Sequence, residues 1–132
     1  MDIYRENILE HYRNPRNFGK LTNPSISVKE ENPLCGDSIC MELKISKAFL
    51  RIKNEKEKTR RIEDVKFTGE GCAISQASAS MLTEKVKGKS LEEIKKIGKE
   101  EILKMLGIEL SPVRLECALL PLEVLQKAVA LV

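Results

Sequence analysis

Ile62-Glu63-Asp64-Val65-Lys66-Phe67-Thr68-Gly69-Glu70-Gly71-Cys72-Ala73-Ile74-Ser75-Gln76-Ala77-Ser78-Ala79-Ser80-Met81-Leu82-Thr83-Glu84-Lys85-Val86 changes its hydrophobic period halfway along. Val65 and Phe67 share one face of a strand over 62–67. From Cys72 the period becomes helical, carried by Ile74, Ala77, Met81, Leu82 and Val86. Gly69-Glu70-Gly71 between the two reads as a turn. The residue that opens the helix is Cys72.

Upstream, Ile39, Met41, Leu43 and Ile45 alternate with Cys40, Glu42 and Lys44, the pattern of a half-buried strand. Ser25–Lys29 alternates weakly, as an edge strand does, and Asn32-Pro33 breaks it. Ala48–Ile52 extends the sheet, and Asn54–Arg61 is a charged tip. Consecutive strands this close in sequence pair antiparallel, giving a meander of about three strands. Ahead of them Asp2 caps a first helix with Ile3, Tyr4, Ile8 and Tyr12 on one face, and Asn14-Pro15 stops it. Downstream, Gly88 ends the Cys72 helix, Ser90-Leu91-Glu92-Glu93 is a capping box, and Gly98 and Gly107 punctuate two short helices. Ser111-Pro112 starts the last helical segment as cap and first residue. Pro121 forbids one straight helix from Pro112 to Val132, so a short helical turn followed by a second piece is expected, with Val124, Leu125, Ala128 and Val129 inward. The fold class is α+β: a small antiparallel sheet with helices packed on one face, in a single domain over residues 1–132.

With 132 residues, 42% of them hydrophobic and 33% charged, the chain can bury a core without disulfide staples. Aromatics make up 4% and Trp is absent, so that core is aliphatic. The 23 basic residues nearly balance the 20 acidic ones, and no aromatics interleave with them, which argues against nucleic-acid binding. No apolar run approaches the roughly 20 residues a membrane span needs. The charged start of the chain does not resemble a signal peptide, so a cytoplasmic location is expected. There, four cysteines are expected to act as ligands or reactive thiols instead of disulfides.

Three of those cysteines sit at junctions. Cys35 lies in a turn ahead of a strand, in Pro33-Leu34-Cys35-Gly36-Asp37. Cys72 opens a helix, and Cys117 lies near the start of the last helical region. Helix amino termini favour the thiolate, the form that binds metal or attacks sulfur. Thiolates with a carboxylate, here Asp37, suit zinc or iron. Three buried small hydrophobes would produce the same spacing, and residue pattern alone leaves both readings open. Cys40 shares a strand face with Glu42 and Lys44 and reads as structural. His11 reads as a helix-face residue, not a ligand.

Five segments, in order, resemble the iron–sulfur scaffold family that comprises IscU, SufU and the N-terminal domain of NifU. They are His11-Tyr12-Arg13-Asn14-Pro15-Arg16-Asn17-Phe18-Gly19, Asn32-Pro33-Leu34-Cys35-Gly36-Asp37, Gly69-Glu70-Gly71-Cys72-Ala73-Ile74-Ser75, Lys87-Gly88-Lys89-Ser90-Leu91 and Pro112-Val113-Arg114-Leu115-Glu116-Cys117-Ala118. The resemblance implies that Cys35, Asp37, Cys72 and Cys117 are the metal ligands, with Cys35 or Cys117 accepting persulfide sulfur. It implies sulfur from a cysteine desulfurase, a transient [2Fe–2S] cluster or iron, and apo iron–sulfur proteins as acceptors. The alternative it carries is a SufU-like zinc-dependent sulfurtransferase; a purely structural zinc domain is the weakest reading. The family resemblance favours a scaffold or carrier over a turnover enzyme.

The chain departs from both branches. Glu116 stands where IscU proteins usually have His before the last ligand cysteine, which makes Glu116 an extra candidate ligand or modulator. Arg114 and Ala118 match the SufU pattern, and Arg114 is a second candidate modulator. The span from Cys72 to Cys117 nevertheless lacks the insertion usual in SufU proteins. Leu110-Ser111-Pro112-Val113-Arg114 resembles the segment by which IscU proteins engage an Hsp70-type chaperone, with Ser and Arg replacing Pro and Lys.

Overall fold

The computed structural model describes residues 3–33, 36–46 and 60–132. Among them, eight elements run in the order α1 (Ile3–Arg13), β1 (Ile26–Asn32), β2 (Asp37–Ser46), β3 (Arg61–Glu70), α2 (Ala73–Val86), α3 (Leu91–Lys95), α4 (Lys99–Leu106) and α5 (Pro112–Ala130). The proposed Asp2 cap, the Ala48–Ile52 extension and most of the charged tip lie outside the described residues, as does Cys35.

Strand β2 is central, with β1 and β3 antiparallel on either side. Register explains the core. Met41 faces Val28 on one neighbour and Phe67 on the other, and Leu43 faces Ile26 and Val65. Ile39, Met41, Leu43, Val65 and Phe67 are completely buried. Each such side chain contributes roughly 1.5–3 kcal/mol over exposure. The opposite face of β2 carries half-exposed Cys40 and Glu42 and exposed Lys44. The expected turn at Gly69 starts later than its glycines suggested, because β3 stays paired with β2 as far as Glu70.

Helix α5 packs over β1 and β2, α2 lies against β3 and α5, and α1 rides on α2. Every residue of α2 from Ser75 to Thr83 is buried. Small side chains let three neighbours approach it, and its hydroxyls find partners as burial requires. Ser78 donates to the Ala118 carbonyl (2.7 Å), and Ser80 Oγ accepts the Arg16 N–H (2.8 Å) while bonding His11 Nδ1 (2.7 Å).

Two expectations need correction. The face expected for α1, Ile3, Tyr4, Ile8 and Tyr12, is not the buried one: Ile3, Tyr4 and Tyr12 are exposed and the buried pair is Ile8 and His11. Helix α1 rests chiefly on α2, so residues three apart supply its buried stripe, while the ring of Tyr4 covers Gly107 at the end of α4. Helix α5 runs unbroken through Pro121. An interior proline removes one N–H and crowds the preceding turn, at about 3 kcal/mol or more. Burial of Leu120, Pro121, Leu122, Val124 and Leu125 offsets this. The Ser78 hydroxyl meanwhile supplies a donor to Ala118 in the crowded turn. The caps came out as expected: Ser90 Oγ accepts from Glu93 N, Ser111 Oγ from Arg114 N, and Gly107 closes α4 in the left-handed conformation. No helix among the described residues is long and apolar enough to cross a membrane.

Desolvation, aided by Arg16, pulls His11 below its ordinary pKa of 6.5, against the opposing pull of Glu84 and Glu10. The folded state therefore holds His11 neutral, while the unfolded chain takes up its proton first as pH falls. Stability from this group is complete above 6.5 and is lost below it. Denaturant titrations between about pH 7 and pH 5 should show a steeper stability loss in the wild type than in His11→Gln.

Candidate metal centre

The pairing of β2 with β3 builds the centre. Ser38 lies opposite Glu70, so Asp37, which opens β2, comes beside the chain where it leaves β3 for α2. Gly71 has a φ of +134°, and Cys72 follows in extended geometry as the N-cap of α2. The Asp37 carboxylate is 1% exposed. Its Oδ1 accepts the Cys72 backbone N–H at 2.8 Å, and its Oδ2 stands 3.7 Å from Cys72 Sγ. The Cys72 side chain makes no capping bond.

Cys117 enters from the second turn of α5 and is completely buried. The Ser78–Ala118 bond fixes that turn against α2. Ligating atoms of Asp37, Cys72 and Cys117 all lie within 4.8 Å of one another. A tetrahedral ion with bonds of about 2.0–2.3 Å sets its donors roughly 3.3–3.8 Å apart. The Asp37–Cys72 pair already has that spacing, and two thiols with a carboxylate are donors that zinc and iron both accept. The residues present therefore fit a metal ion.

The other candidates stand apart from this group. Glu116 is exposed, because neighbours on a helix point about 100° apart and Cys117 takes the inward direction. Burial, with Glu116 and Glu30 nearby, pushes Glu123 above the usual carboxylate range. Arg114 is exposed in the first turn of α5. Cys40 lies on the outer sheet face, 3.5 Å from Ser27 Oγ. His11 is held by Ser80, with Glu84 at 3.6 Å. None of Cys40, Cys72 and Cys117 is in a disulfide. Ser75 joins the site without having been a candidate: its hydroxyl donates to the Cys72 carbonyl (3.0 Å) and lies 4.0 Å from Cys72 Sγ. A serine three residues after an N-cap was the available signal.

Residues 3–131 match the family model for the NifU-like N terminal domain. The chain belongs to that family. This NifU-like domain is 40% identical to the zinc-dependent sulfurtransferase SufU of Bacillus subtilis, covering 97% of this chain and 90% of that one. It is 36% identical to the iron–sulfur cluster assembly enzyme IscU of Drosophila melanogaster, over 97% of this chain and 77% of the relative. Among solved structures, it superimposes with a TM-score of 0.76 on a Fervidobacterium islandicum protein assigned as an iron–sulfur cluster assembly scaffold for the SUF system. There the identity is 26%, and 94% of each chain is covered. The alignment with the Bacillus protein runs over 145 positions although the NifU-like domain has 132 residues, whereas that with the fly protein runs over 131. The SufU-like motifs at Arg114 and Ala118 thus sit in a chain of IscU-like length.

Alkylation by iodoacetamide, resolved by mass spectrometry, should separate the thiols. Cys40 reacts at a rate that zinc leaves unchanged, buried Cys117 reacts at least about tenfold more slowly, and Cys72 becomes protected when zinc is added.

Proposed function

We propose that this domain is an iron–sulfur cluster assembly scaffold, working in the cytoplasm, that accepts sulfur from a cysteine desulfurase, binds iron, and passes a [2Fe–2S] cluster to apo iron–sulfur proteins. The observation that carries this is the convergence of Asp37, Cys72 and Cys117 at the junction of sheet and helices, in a chain whose relatives include a protein named for cluster assembly. Cys35 completes the donor set in the proposal. Its inclusion rests on the Pro33-Leu34-Cys35-Gly36-Asp37 resemblance and on its separation from Asp37 by a single glycine.

Sulfur arrives by thiol exchange. A thiolate of this chain, Cys35, or Cys117 once docking uncovers its buried sulfur, attacks the outer sulfur of the desulfurase persulfide; the new S–S bond forms as the old one breaks, and the desulfurase cysteine leaves as thiolate. Conversion of that sulfur to sulfide takes two electrons per atom from an external thiol or ferredoxin-type reductant. Iron and cluster are cargo here, and Asp37 suits their release. A carboxylate is a harder partner than thiolate for soft iron–sulfur chemistry, so one corner of the site binds weakly. Glu116 and Arg114, both exposed on α5 within a turn of Cys117, would modulate docking or exchange. Segment 110–114, with Val113 52% exposed, offers an Hsp70-type chaperone an accessible stretch.

The similarity to the Bacillus sulfurtransferase supports a second reading, in which zinc is resident and sulfur is relayed without a cluster. Anaerobic incubation with ferrous iron, cysteine, a cysteine desulfurase and dithiothreitol distinguishes the two. The scaffold reading expects visible [2Fe–2S] absorption that transfers to apo-ferredoxin, and at least about a tenfold lower cluster yield in Cys72→Ser. Faster desulfurase turnover with zinc retained and no cluster would instead establish the relay.

A further inference from the structure

A side chain at position 71 would collide with the metal centre itself. A Cβ built on Gly71 falls 1.9 Å from Asp37 Oδ1, 2.6 Å from its Cγ and 2.9 Å from its Cα. The φ of +134° is a second demand that L side chains rarely meet. The same carboxylate oxygen accepts the Cys72 N–H, so Asp37 lies across the β3–α2 turn in space that only a missing side chain leaves.

We propose that Gly71 is a positioning residue of the metal centre: its lack of a side chain lets the Asp37 carboxylate settle on the turn, with one oxygen held by the Cys72 amide and the other left toward the Cys72 thiol. Oδ2, 3.7 Å from Cys72 Sγ, would then be the oxygen Asp37 offers to an ion. The ordered oxygen lowers the entropy cost of ligation, because the carboxylate is fixed before the ion arrives. Gly71 acts through Asp37 and touches no ion. The inference deepens the proposed function and rests on its metal site.

Gly19 supplies a matched control. It shares the φ of +134°, but a Cβ there meets only Lys66 Cδ at 3.8 Å, an ordinary contact. Gly19→Ala therefore imposes the backbone strain of Gly71→Ala without the collision. The probe is zinc, with affinity read by competition against a chromophoric chelator, and the Cys72 amide proton is followed by NMR in the metal-free protein.

Gly71→Ala is expected to weaken zinc binding by about tenfold or more, and Gly19→Ala by less than about twofold. In an Asp37→Ala background the carboxylate collisions are gone and only the 2.9 Å approach to the residue-37 Cα remains, so Gly71→Ala should weaken zinc binding clearly less than in the wild type, by no more than about threefold. The Cys72 amide resonance should move alike in Gly71→Ala and Asp37→Ala, because both break the same N–H···O bond. Equal losses from Gly71→Ala and Gly19→Ala, a full loss on the Asp37→Ala background, or an unmoved Cys72 amide would each overturn the proposal. If Gly71→Ala does not fold, recovery of the fold in Asp37→Ala/Gly71→Ala supports it, and continued failure overturns it. A wild-type protein that binds neither zinc nor iron ends the functional reading, and the metal-free amide shift still judges Gly71.

Discussion

The antiparallel pairing of β2 with β3 is the constraint from which the candidate metal centre follows. It brings Asp37, at the start of one strand, beside the exit of the other, and the Cys72 amide closes on Asp37 Oδ1 at 2.8 Å. That bond does two jobs. It gives a buried carboxylate an acceptor role that offsets part of its desolvation, and it sets a negative group at the amino end of α2, where the helix dipole favours it. The N-cap residue's own side chain is thereby left out of capping, and its sulfur faces the other donors.

Helix α2 carries the rest. Its run of Ser and Ala residues is buried on several sides, which permits α1, α5 and the sheet to crowd it at once. Hydroxyls in that run are not spare polarity. Ser78 steadies α5 in the turn that Pro121 weakens, Ser80 gathers His11 and the Arg16 amide, and Ser75 braces Cys72. Exposed ion pairs such as Lys87 with Asp64 and Lys127 with Glu30 add little by comparison, about 0–1 kcal/mol each.

Much of this was legible in the residues. The switch of period across 62–86 gave β3, α2 and the location of Cys72, and alternation through 39–45 gave the central strand. Ser90, Ser111 and Gly107 marked helix ends because each supplies a hydrogen bond or a backbone conformation that its neighbours cannot. The misreadings share a cause: local rules lost to packing. Pro121 breaks an isolated helix, but not one pressed into a core by Leu120, Leu122 and Leu125. Ile3 and Tyr12 look like core on a helical wheel, yet α1 leans chiefly on α2 and leaves both side chains exposed. Sequence could nominate Asp37, Cys72 and Cys117. It could not bring them within 4.8 Å, because that depends on strand register and on how α5 crosses the sheet.

The three donors belong to positions 37, 72 and 117, on a strand, a helix start and a second helix. An ion shared by them would cross-link long stretches of chain, in the way a disulfide restricts the freedom of the unfolded polypeptide. Loading would then tighten the domain as a whole, and surrendering the cargo would loosen it.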